Sequence, residues 1–254
     1  MQLEGKVAVV TGGGTGIGRA IACRLAREGA SVAICGRRRE PLDQVADELG
    51  EIGAVHYAET ADVSRKADVY RFIGSVIERF GRLDILVNNA GILFRKNLTD
   101  TTEEDWDALF DANVKGVYLC CKAALPHMIT QKSGNILNIG SVSGLRAATH
   151  ADAYCASKAA VHALTRSLAR GYAEHGIRVN CICPAHVDTP IMDITIEFFN
   201  SIGVKSDRDK IDSLYPLRRR GMPSDVASLA VFLVSDESAW MTGSLVVLDG
   251  GATA

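Results

Sequence analysis

The stretch VAVVTGGGTGIGRAIACRLAREG, residues 7–29, decides the fold. A short run rich in β-branched residues reads as a strand, and the segment from about Gly16 reads as a helix. Between them lies a turn crowded with glycine, where the backbone can approach a ligand closely and the free N–H groups of the helix N-terminus face it. Such a turn suits a pyrophosphate. The spacing of Gly12, Gly16 and Gly18, with Thr15 and Ile17 between, is a relative of G-x-G-x-x-G with one longer gap. A glycine turn alone could be purely structural, so its place at the first strand of a longer pattern is what gives it weight.

The same rhythm runs outward through SVAICG, AVHYAE, DILVNNAG, GNILNIGS, IRVNCICP and SLVVLDGG, with helical stretches between. Seven short strands alternating with helices predict an α/β fold: one doubly wound, Rossmann-type domain over residues 1–254, with a seven-stranded parallel sheet between helices. No linker-like tract, composition shift or internal repeat divides it. Residues 187–221 break the rhythm and read as a substrate lid or loop.

Composition sets the outer limits. With 254 residues, 47% of them apolar and 23% charged, the chain can bury a large core, and a formal charge of −2 argues against nucleic acid or an anionic membrane as partner. No apolar run reaches membrane-spanning length and the N-terminus carries no signal pattern, so we expect a cytoplasmic protein. The seven cysteines lie in apolar segments without a Cys-x-x-Cys pair. They read as buried, reduced residues, and the histidines show no ligand spacing, so no metal is expected.

Dinucleotide folds place a group at the end of the second strand that reads the adenosine ribose, acidic for NAD and basic for NADP. Here Gly36 is followed by Arg37, Arg38 and Arg39, with no carboxylate at the turn. NADP(H) is therefore the expected cofactor, with Arg37 and then Arg38 as 2'-phosphate partners; NAD(H) remains open.

The motif YCASK places Tyr154 and Lys158 four residues apart, on one face of a helix. Taken with TGGGTGIG, NNAG at 88–91, Asn113 and Ser141, it resembles the classical short-chain dehydrogenase/reductases over essentially the whole chain, most nearly the 3-oxoacyl-[acyl-carrier-protein] reductase type. The resemblance implies roles. Tyr154 would exchange a proton with the substrate oxygen, and Lys158 would favour the phenolate of a side chain whose ordinary pKa is about 10. The same lysine would hold the nicotinamide ribose. Ser141 would orient the substrate carbonyl or alcohol, and Asn113 would hold a water that relays protons. Asp62 and Val63 would lie at the adenine, although Asp62 could equally serve a helix capped by Ser64. Asn89, Ala90 and Gly91 would flank the cofactor, with Pro184, Val187 and Thr189 at the nicotinamide end. The family commonly has glycine where this chain has Ala185, which leaves the local loop shape open.

The implied reaction interconverts a ketone and a secondary alcohol by hydride transfer. Ser143, Leu145, His150, Ala185, His186, Ile191 and Met192 are the expected pocket, with Ile196 and Phe198 in the lid. This mixture admits cyclic ketones, steroids, sugar-derived ketones or acyl thioesters. An NAD(H)-dependent polyol or hydroxysteroid dehydrogenase is the alternative within the family. A silent nicotinamide-binding sensor would not need Asn113, Ser141, Tyr154 and Lys158 together. Family members are dimers or tetramers built on two long helices, here around 102–131 and 151–175.

Overall fold

The computed structural model describes all 254 residues. Seven strands form one sheet: β1 (Val7–Thr11), β2 (Ser31–Gly36), β3 (His56–Thr60), β4 (Ile85–Asn88), β5 (Gly134–Ile139), β6 (Ile177–Pro184) and β7 (Leu245–Leu248). Their order is β3-β2-β1-β4-β5-β6-β7, every pair parallel. Order reverses at β1, which neighbours both β2 and β4. A crevice therefore opens above the carboxyl ends of β1 and β4, where open α/β sheets take their ligands.

The inner strands are apolar because both faces are covered, whereas the edge strand β3, HYAET, is only partly buried. Ala8, Val10, Val32 and Ile34 face one core with α1 (Gly16–Arg27), α2 (Arg39–Glu51) and α9 (Pro223–Val234). Val7, Val9, Ala33 and Cys35 face the other, with α3 (Lys66–Phe80), α5 (Gly116–Gln131) and α6 (Asp152–Tyr172). Alternation along each strand supplies both cores. Burial of Ile21 and Leu25 alone, at about 1.5–3 kcal/mol each, anchors α1 under the glycine turn.

The long helix expected over 102–131 is interrupted. A capping box at Thr102 and Asp105 starts α4 (Glu103–Phe110), a π-turn spans Asp111–Lys115, and α5 follows. Residues 187–221 contain α7 (Pro190–Ser201) and α8 (Arg208–Ser213), and a bridge between Val187 and Gly221 closes the base of the excursion. Arg208 joins Asp188 and Asp193 at 3.2 and 2.8 Å, and Arg220 joins Asp188 and Asp212 at 3.1 and 2.8 Å. The second arginine run, 218–220, is thus spent partly on holding this segment. No helix is long and apolar enough to cross a membrane.

Candidate active site

One cavity of about 850 Å³ runs from Arg37 and Arg38 past the glycine turn to Tyr154 and the segment after β6. Its floor is the turn itself. Gly12 and Gly16 have φ of +64° and +53°, a region that favours glycine. A Cβ on Gly18 would stand 2.2 Å from the Gly12 carbonyl oxygen, so the helix can begin this close only without a side chain there. Thr15 N-caps α1 without a side-chain bond, and the first turn carries no acid. Its N–H groups are left for an anion. Asn89 fixes the turn from behind, donating to the carbonyls of Thr11 and Gly12 at 3.0 and 3.1 Å. Thr11 Oγ1 in turn accepts the N–H groups of Asn89 and Ala90, both at 3.1 Å, a role its sequence position gave no sign of. A glycine cradle, an uncapped helix N-terminus and two cations at the far end fit a dinucleotide phosphate.

At the end beside β2, Arg39 is taken by Asp43 at 2.7 Å, whereas Arg37 and Arg38 are exposed and line the cavity. Asp62 lines it too, but its Oδ1 accepts from both the backbone N–H and the hydroxyl of Ser64, at 3.0 and 2.7 Å. Ser64 therefore does not cap α3, whose N-cap is Arg65.

At the other end three elements converge. Ser141, beyond β5, opens a 3-10 turn, and its Oγ accepts the Ser143 N–H at 3.1 Å. Ser141 lines the cavity, and its hydroxyl donates to no group within the protein. Tyr154 and Lys158 occupy one face of α6, with Lys158 Nζ 5.6 Å from the tyrosine ring centroid. Lys158 is only 6% exposed, and Nζ donates to the Ile139 carbonyl at 2.9 Å. Burying an ammonium with one carbonyl partner is expensive, and two of its three N–H groups are still to be satisfied.

Asn113 sits in the π-turn, behind the cavity wall rather than on it. Its side chain accepts the Ile92 N–H at 2.8 Å and donates to the Ile92 carbonyl at 3.0 Å. Gly91 separates it from Lys158: a Cβ there would lie 3.0 Å from Asn113 Oδ1 and 3.7 Å from Lys158 Nζ. Extra backbone at a π-turn re-aims one side chain within a helix, here Asn113.

The pocket is a partial match to expectation. Ser143, Ala185, His186, Ile191 and Met192 line the cavity, as do Val63, Ala90, Gly91, Pro184, Val187 and Thr189. Ala185 avoids positive φ, so its methyl group sits without strain. Leu145 and His150 do not line it. The turn after Ser141 swings Leu145 to solvent, 48% exposed, and His150, at φ +56°, hydrogen-bonds Asn97 at 2.7 Å and packs on Phe198. Phe198 and Ile196 likewise lie off the wall, Ile196 packing against Met192, Ile211 and Tyr215. Instead Tyr215 and Arg95 enter it. The Tyr215 hydroxyl takes the His186 backbone N–H at 3.1 Å and meets His186 Nδ1 at 2.6 Å. Burial, reinforced by the charge of Arg95, holds the His186 imidazole below its ordinary pKa.

Behind Ser141 the fold gathers His162, Cys181 and Cys183, whose ligand-type atoms lie within 4.8 Å of one another. Their separation in sequence concealed this, and the expectation of no ligand grouping is corrected to that extent. Cys183 Sγ is 3.3 Å from His162 Nε2, a buried hydrogen-bonded group. No disulfide forms; six of the seven cysteines are buried.

This geometry has relatives. The profile of a family described as Enoyl-(Acyl carrier protein) reductase matches residues 12–253. The chain belongs to the short-chain dehydrogenase/reductase family, a family of oxidoreductases. It is 44% identical to Oxidoreductase UcpA of Salmonella typhimurium, over 99% of this chain and 96% of that one. It is 36% identical to the 3-oxoacyl-[acyl-carrier-protein] reductase FabG of Thermotoga maritima, over 99% of each chain. Among solved structures, NAD+-bound xylitol dehydrogenase superposes with a TM-score of 0.92 at 32% identity, covering 99% of this chain and 100% of that one.

Proposed function

We propose that the protein interconverts a ketone and a secondary alcohol with NADP(H), Tyr154 exchanging the proton. The observation that carries this reading is the convergence of Ser141, Tyr154 and Lys158 on the end of a cavity whose other end is a glycine cradle. When bound, the nicotinamide supplies or accepts the hydride at the carbon bearing oxygen. Ser141 donates its free hydroxyl hydrogen to the substrate oxygen and orients it. The Tyr154 hydroxyl gives its proton to that oxygen in reduction and takes one back in oxidation. Lys158 stabilises the phenolate through its positive charge and holds ribose hydroxyls with its remaining N–H groups. Asn113 fixes the backbone at Ile92 and would steady a water through which Lys158 passes the proton to and from solvent. The partly buried His186 and the apolar Ile191 and Met192 shape the substrate end.

Arg37 and Arg38, exposed and without acidic partners, support NADP(H) over NAD(H). Similarity to an NAD+-bound dehydrogenase keeps NAD(H) as the rival outcome of the test. A groove over α3, α5 and α6, lined by Tyr70, Tyr118, Leu164, Leu168 and Tyr172, supports association with a second copy of this chain. Sedimentation at equilibrium checks it, with a dimer or tetramer expected.

The test is oxidation of NADPH and NADH in the presence of cyclic, aliphatic, sugar-derived and acyl-thioester ketones, and reduction of NADP+ with the matching alcohols. Turnover favouring the phosphorylated cofactor is expected. Tight cofactor binding with silence on every compound would instead describe a sensor.

A further inference from the structure

Arg95 is a cation held in the substrate end of the cavity with nothing there to neutralise it. It follows the NNAG turn by four residues, in a segment with neither strand nor helix character, and its side chain is half-buried on the cavity wall. Nε donates to Thr195 Oγ1 at 3.1 Å, Nη1 donates to the Thr149 carbonyl at 3.0 Å, and the guanidinium lies 5.0 Å from the Phe199 ring centroid. These contacts fix the group and leave Nη2 without a bond inside the protein.

None of the protein's ion pairs includes Arg95. Two lid carboxylates, Asp188 and Asp193, are committed to Arg208 and Arg220. Along the whole cavity wall the cations are Arg37, Arg38, Arg95, Arg146 and Lys158, and the one carboxylate is Asp62, at the adenosine end. Arg37 and Arg38 have a cofactor phosphate to meet. Arg95 does not; it lines the same cavity as Tyr154. A guanidinium stripped of much of its water and given only neutral acceptors is under-satisfied, and an oxyanion is the partner its fork fits best.

We infer that the physiological substrate carries a carboxylate, which Arg95 binds through Nη2 while the ketone or alcohol carbon lies at Tyr154. The inference rests on the ketone–alcohol reading above and narrows its substrate class to oxo acids and hydroxy acids. One negative charge balances one guanidinium. Because Thr195 and Phe199 belong to α7, the same residue ties substrate charge to the helix that covers the pocket. A purely structural latch between α7 and residue 149 would need only Nε and Nη1, and would be indifferent to substrate charge.

The test is calorimetric titration of the NADP+-loaded protein with 3-, 4- and 5-oxo acids and with their primary amides, for example 4-oxopentanoate against 4-oxopentanamide. At the best chain length the acid is expected to bind at least about tenfold more tightly than its amide. Arg95→Gln should bring the two within about twofold, and Arg95→Lys should retain part of the preference. The readout is a ratio within one protein, so a general loss of stability does not imitate it. Equal binding of acid and amide at every length, or binding of neither, overturns the inference, as does an Arg95→Gln protein that keeps the wild-type ratio. Acid preference without turnover of any oxo acid upholds Arg95 and overturns the oxidoreductase reading; turnover with equal binding does the reverse.

Discussion

Asn113 donates a 3.2 Å hydrogen bond to Ser157 Oγ, joining the π-turn to α6 one residue from Lys158. With its two bonds to the Ile92 backbone, this makes the asparagine the fastener between the loop after β4 and the helix that carries Tyr154. Asn113→Leu fits the volume but leaves the Ile92 N–H and carbonyl unpaired in a buried site. Each such group costs about 1–3 kcal/mol, so the melting temperature should fall by about 4–20 °C, with turnover reduced. A calorimetric scan checks this, with a fall of at least about 4 °C expected; an unchanged melting temperature would remove Asn113 from that role.

Cofactor choice should be set by charge at the end of β2. Replacing Arg37 with Asp puts a carboxylate where the 2'-phosphate is expected, against the remaining Arg38. NADPH should bind at least about thirtyfold more weakly while NADH changes by less than about threefold. Fluorescence titration with both cofactors distinguishes the cases, and equal losses would refute the assignment.

The glycine turn makes a steric prediction. A methyl group at Gly18 would meet the Gly12 carbonyl at 2.2 Å and Asn89 Nδ2 at 2.5 Å, both parts of the backbone-fixing network rather than flexible chain ends. Gly18→Ala should therefore abolish measurable binding of either cofactor, or prevent folding altogether. Wild-type affinity in a folded Gly18→Ala protein would show that the turn opens more readily than its contacts imply.

Most strands were legible because they are runs of apolar residues bounded by glycine or a polar turn, as a sheet covered on both faces demands; the edge strand β3, HYAET, is the exception. The pairing of Tyr154 with Lys158 was legible because helical spacing alone puts them on one face. The π-turn was not: residues 102–131 carry continuous helical character, and one wider hydrogen-bonded ring leaves no mark in residue type. Leu145 and His150 were misplaced because a 3-10 turn and one positive φ redirected side chains that lay near Ser141 and Tyr154 in sequence. Arg95 escaped notice for the opposite reason. Its environment is built by Thr195 and Phe199, a hundred residues away, and by the commitment of Asp188 and Asp193 to other arginines.

The most direct measurement of the central claim compares the wild-type protein with Tyr154→Phe, reading NADPH oxidation on the best ketone and NADPH affinity by fluorescence in parallel. Removing only the phenolic oxygen should lower kcat by about a thousandfold or more while NADPH affinity changes by less than about threefold. A Tyr154→Phe protein that still turns over within about tenfold of wild type would contradict the assignment of Tyr154 as proton donor and acceptor.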